Sequence, residues 1–171
     1  MTPPKKSRAR AFTLIELLVT IAIIGILAAI LIPTLSAAMR RVNRIRCVSN
    51  LKQIGIALSG FAHDNRGRLP WQLLPVHQNG LYGAADVQQP NVVFSGTAMK
   101  EGLGSVEILH SHCDPDRSAA NKSAHEKWNS FSPQSPIPPE ALSYVLVEGS
   151  DIARPATILA STRNLSTCDL A

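Results

Sequence analysis

From Phe12 to Ile32 the chain runs FTLIELLVTIAIIGILAAILI, 21 residues that carry one charge, Glu16. A helix needs about 20 apolar residues to cross the hydrocarbon of a bilayer, so the stretch predicts a membrane span. Pro33 closes it, and its missing N–H and ring clash predict a kinked or loosened helix there. Beyond it Leu35, Met39, Val42, Ile45, Val48, Leu51, Ile54, Leu58 and Phe61 recur at steps of three and four. That spacing predicts one apolar stripe of an amphipathic helix, with Arg40, Arg41, Arg44 and Lys52 off it. The pattern stops near Asp64, in DNRG. Short strands are expected at Val92 to Phe94, Leu142 to Val147 and Thr157 to Ser161, with a helix through Gly96 to Leu109. The segments QNGLYGAADVQQPN and SFSPQSPIPPE are expected to be loops. The fold class is α+β: a long N-terminal helix, half hydrophobic and half amphipathic, packed against a small antiparallel β-sheet head. The boundaries are a basic segment 1–11, a span 12–33, an amphipathic helix 34–63 and a head 64–171.

Charge sharpens this picture. The formal net charge is +5, from 17 Lys and Arg against 12 Asp and Glu. Lys5, Lys6, Arg8 and Arg10 precede the span, and without them 13 basic residues face 12 acidic ones, an excess of +1. Basic residues beside a span favour the cytoplasmic side, so the tail reads as an orientation signal rather than a nucleic-acid patch. A secretory signal has a shorter apolar core of about 7 to 15 residues; SAA at 36–38 imitates a cleavage site, but the length favours a retained span. The three cysteines, Cys47, Cys113 and Cys168, allow one internal bridge at most and lack the CxxC spacing.

Glu16 is the anomaly, because a carboxylate within hydrocarbon is costly and usually functional. Around it, AFTLIELLVTIAIIGILAAILIP resembles the N-terminal processing and methylation segment of type IV pilins and type II secretion pseudopilins. The resemblance implies that 1–11 is a leader, that a prepilin peptidase cuts between Ala11 and Phe12, and that the Phe12 amine is then methylated. In that family Gly usually precedes the cut, where this chain has Ala11. It also implies that Glu16 pairs with the terminal amine of a neighbouring subunit, that Pro33 is the family's helix-loosening proline, and that the head adopts a pilin-like fold. A lone buried charge is far costlier than a paired one, which makes Glu16 an assembly residue.

A second resemblance lies further on. CVSNLKQIGIALSGFAHDNRGRLP is similar to pseudopilin-related proteins of environmental bacteria, with HCDPD, ALSYVLVEG and PATILASTRNL standing for that group's cysteine loop, Ser-Tyr strand and closing strand. Where the group often has Asp in the last, Ser161 and Thr162 stand here. The resemblance implies a Cys47–Cys113 disulfide.

Other chemistry is thin. HSHCDPDR gathers His110, His112, Cys113, Asp114 and Asp116, with His125 nearby, but matches no zinc spacing, and the expectation is no metal. DPDR lacks the oxygen ladder of a calcium loop; calcium in the head enters only because some pseudopilins bind it. No G-x-S-x-G, phosphate loop or aromatic-interleaved basic patch occurs. The expectation is a non-enzyme without cofactors or nucleic acid. Anionic head groups account for Arg40 to Arg46.

The leading reading is a pseudopilin-like structural subunit of a type II secretion or related type IV pilus-like filament. Its expected partners are the prepilin peptidase, other pseudopilin subunits, an inner-membrane assembly platform and membrane lipid. Before assembly it sits as a single-pass inner-membrane protein with its C-terminal head in the periplasm. One alternative is a membrane-anchored periplasmic binding or metal-binding module, resting on the His/Cys/Asp loop. Another is a minor type IV pilin for adhesion or DNA uptake.

Overall fold

The computed structural model describes residues 12–112, 114, 127–147, 149–154 and 157–162. It divides into two compact units, Met1–Met39 and Arg40–Ala171. Helix α1 (Leu14–Asp64) is continuous through Pro33 and contributes to both.

In the first unit every described residue is exposed, including Ile15, Leu18, Ile24, Leu27 and Leu31. None of this apolar surface is buried among the described residues, and α1 is the one described helix long and apolar enough to cross a membrane.

In the second unit, α1 ends where DNRG turns the chain. Arg66 takes the left-handed conformation (φ 59°) and the Gly67 N–H reaches back to the Ala62 carbonyl at 2.7 Å, a helix-closing bond. A 3-10 turn at Pro70–Gln72 follows, then α2 (Pro75–Tyr82), α3 (Pro90–Ser95) and α4 (Thr97–Leu103). Further 3-10 turns lie at Val106–Leu109, Trp128–Ser130 and Pro139–Ala141. Strands β1 (Tyr144–Leu146) and β2 (Ala160–Thr162) pair antiparallel, Tyr144 opposite Thr162 and Leu146 opposite Ala160. The architecture is α+β, a long N-terminal helix with a small antiparallel sheet.

Local readings differ in instructive ways. Val92 to Phe94, expected as a strand, lies inside α3, and the expected loop at 78–91 contains the end of α2 and the start of α3. Proline begins α2, α3 and two 3-10 turns. At a first helical position proline loses no bond and its fixed φ fits the helix, so these prolines start elements. The helix expected over Gly96 to Leu109 breaks at Gly104, whose φ of 72° few side chains tolerate, and resumes as a 3-10 turn.

The core joins Ile54, Ala57, Leu58, Phe61 and Ala62 of α1 to Val93, Phe94, Met99, Leu103, Leu109, Ile137 and Tyr144. Short helices thus supply more of the cover over α1 than the sheet does. Phe61 meets Tyr82 with ring centroids 6.4 Å apart and planes tilted by 48°. Gly96 lets that tyrosine close in: a Cβ there would stand 2.7 Å from its ring. The stripe itself is corrected, for Ile45 and Val48 are 68% and 62% exposed whereas Cys47 is buried. Each step of three falls short of a full turn, so repeated threes drift; nine residues from Ile45 to Ile54 amount to two and a half turns, about 180° apart. The buried line alternates steps of three and four through Cys47, Leu51, Ile54, Leu58 and Phe61.

Candidate functional site

The candidate site is the start of α1. The Thr13 carbonyl accepts the first helical bond, from Leu17 N–H at 3.3 Å, which makes Thr13 the N-cap and Glu16 the third helical residue. Glu16 Oε2 accepts from both the Thr13 backbone N–H and the Thr13 hydroxyl, each at 2.8 Å. In return Thr13 Oγ1 accepts from Glu16 N–H at 3.3 Å. This is a reciprocal capping box. It answers part of the puzzle of a charge in an apolar run: the first N–H groups of a helix lack partners, and hydrocarbon offers none. The T-x-x-E spacing of Thr13 and Glu16 carries the signal for this cap, which apolar periodicity does not show.

Both bonds that Glu16 accepts use Oε2, and on this exposed side chain Oε1 carries no bond among those of the described residues. Phe12, Ile15, Glu16, Val19 and Thr20 line a shallow depression of about 360 Å³. A carboxylate flanked by apolar side chains and exposed in the single chain suits a cationic partner from outside it. Ala11, on the other side of the expected cut, lies outside the described residues.

At Pro33 the helix loses one N–H donor, and neighbouring hydroxyls serve carbonyls of the same turns. Thr34 Oγ1 donates to the Leu31 carbonyl at 2.9 Å and Ser36 Oγ to that of Ile32 at 3.0 Å. These hydroxyls add second bonds to carbonyls just beyond that of Ala29, the one that loses its N–H partner at Pro33, and local back-bonding of this kind tends to bend a helix.

The second cluster lies in the other unit. Cys47 Sγ and Ser111 Oγ are 3.0 Å apart, and Asn50 Nδ2 donates to the His110 carbonyl at 3.0 Å and to the Tyr144 hydroxyl at 3.2 Å. Burial pushes the Tyr144 hydroxyl above the usual tyrosine range, so it stays a neutral donor and acceptor. The His110 and His112 rings lie 5.5 Å apart between centroids with their planes tilted by 54°, and Asp114 is buried. Burial first, then the neighbouring His112 charge, lowers the His110 pKa against an opposing pull from Asp114. Cys113, Asp116 and His125 lie outside the described residues, and with them the expected Cys47–Cys113 bridge and part of the metal set. Among the described residues no three His, Cys, Asp or Glu gather as metal ligands. The network braces α1 against the segments around residues 110 and 144.

Comparison with known proteins points to the first site. Residues 6–32 match a family described as the prokaryotic N-terminal methylation motif. The chain is 69% identical over 35 residues to the type IV wide pilus major component PilA4 of Thermus thermophilus, covering 20% of this chain and 27% of that protein. It is 36% identical over 58 residues to type II secretion system core protein G of Pectobacterium carotovorum, and 38% identical over 58 to that of Klebsiella pneumoniae. These alignments take in 34% of this chain and 37% and 41% of the relatives. No solved structure matches. The capped, carboxylate-bearing start of α1 therefore lies in a prokaryotic N-terminal methylation motif, shared with type IV pilus and type II secretion proteins.

Proposed function

We propose that this chain is a structural subunit of a type II secretion or related pilus-like filament, working by assembly rather than by turnover. A prepilin peptidase removes residues 1–11, the new Phe12 amine is methylated, and that amine meets the other oxygen of Glu16 on a neighbouring copy. The apolar first half of α1 passes from lipid into a filament of packed helices, with the head on the periplasmic side. The observation that carries this reading is the methylation motif over 6–32, with its one carboxylate held in place by Thr13 and its second oxygen available. An amine freed at Phe12 is the nearest cation the processed chain gains.

The test is the intact mass of protein purified from membranes of a host carrying the peptidase. The expected product begins at Phe12 and carries one added methyl group. A functional protein that keeps residues 1–11 overturns the proposal. A type IV pilin is a second reading, favoured by the 69% identity to a wide-pilus component. Surface pili containing the chain select it; filaments confined to the periplasm select the first.

A further inference from the structure

Arg40, Arg41, Arg44 and Arg46 are not explained by assembly through Glu16. All four are exposed. They are the first charges after the span, and no Asp or Glu occurs from Leu17 to His63, so no acidic side chain of the same helix lies three or four residues from any of them, although Arg44 also makes a contact within the chain. They are not an orientation signal either. Four basic residues precede the span and four follow it, and a cluster on the far side opposes the usual bias.

Their position fits the membrane surface. The 28 residues from Phe12 to Met39 measure about 42 Å as a helix, close to the 40–45 Å of a bilayer with its headgroups. Arg40 comes next. At about 100° per residue the four arginines spread over roughly 220° of the helix circumference and about 9 Å of its length. A protein partner docks on one face, whereas headgroups surround a span on every side. Guanidinium also matches phosphate with two parallel hydrogen bonds.

We propose that Arg40, Arg41, Arg44 and Arg46 form a collar that binds the phosphates of anionic phospholipids on the membrane face opposite residues 1–11. This rests on the reading of Phe12 to Ile32 as a span, and the collar holds the unassembled subunit at its depth in the bilayer.

The full chain, with Lys5, Lys6, Arg8 and Arg10 changed to Gln to silence the other face, is reconstituted into phosphatidylcholine nanodiscs containing phosphatidylglycerol. Spin-labelled versions of the two lipids report their relative association with the protein. A marked preference for phosphatidylglycerol is expected. Each Arg→Gln change at 40, 41, 44 or 46 should lower it by up to about fivefold, and all four together should abolish it, while four Arg→Lys changes keep most of it. Equal association of the two lipids, or a preference that survives the fourfold Gln variant, overturns the collar. A variant that loses self-association but keeps its lipid preference overturns it too, and assigns the arginines to carboxylates of a neighbouring copy. If alkaline carbonate strips the unsubstituted chain from vesicles, the spanning reading fails and takes the collar with it; spanning without lipid preference sinks the collar alone.

Discussion

Two serines in the head share burial and chemistry yet should respond oppositely to the same substitution. Ser95 and Ser143 are each 1% exposed. Ser95 Oγ donates to the Asn91 carbonyl at 2.7 Å and accepts from Ile137 N–H at 2.9 Å, joining α3 to a strandless segment 42 residues away. Ser143 Oγ has no partner among the described residues. Ser95→Ala therefore strands a buried amide, which costs about 1–3 kcal/mol. Ser143→Ala removes a hydroxyl already desolvated without return and is expected to be neutral or stabilising. With a urea dependence of about 1–3 kcal/mol per molar, a 2 kcal/mol loss moves the unfolding midpoint down by roughly 1 M. Trp71 and Trp128 both lie in Arg40–Ala171, so tryptophan fluorescence of the full chain in detergent reports this unit. Equal destabilisation by the two substitutions refutes the reasoning, since it means that filling of space, not hydrogen-bond satisfaction, sets the cost at both sites.

Other expectations follow from the same geometry. Glu16→Gln keeps an amide oxygen that can cap Thr13 but removes the charge, so membrane insertion should persist and sedimentable filaments should fall sharply; filaments at the normal level make the carboxylate a helix cap alone. Thr13→Ala does the reverse, fraying the first turn while retaining the charge, and filaments should form. Gly96→Ala places a Cβ 2.7 Å from the Tyr82 ring, and a loss of about 1–3 kcal/mol in the same urea assay is expected from overpacking. His110 has its pKa lowered below 6.5 in the folded chain, so as pH falls through 6.5 the unfolded chain takes up the proton first. The head should hold full stability above that point and lose it below, and His110→Gln should flatten the slope in that window.

How much of this was legible in the sequence depends on the range of the interaction involved. The long apolar start of α1, its end near Asp64 and the α+β class rest on composition and on local chemistry such as DNRG, which act over a few residues and leave a direct trace. The head was less legible because its elements are three to eight residues long, too short for periodicity to separate helix from strand. Val92, Val93 and Phe94 have strand-forming side chains, yet Pro90 two residues earlier sets a helical φ and all three are buried within α3, so tertiary cover overrode propensity.

The same distinction bears on the candidate site. Glu16 was visible as an anomaly because one carboxylate in 21 residues needs no structure to be noticed, but its bond to Thr13 requires the angular relation of an N-cap and a third helical residue. Capping and pairing are not rivals. On the proposed pairing, a carboxylate tied by one oxygen loses rotamer freedom before any partner arrives, so less entropy would remain to be lost if a neighbour's amine bound the other oxygen. Pairing in this chain should therefore weaken when Thr13 is replaced, even though Thr13 touches no neighbour, and filaments of Thr13→Ala should dissociate faster on dilution than those of the unsubstituted chain. Indistinguishable dissociation rates would mean that the Thr13 hydroxyl contributes nothing to assembly.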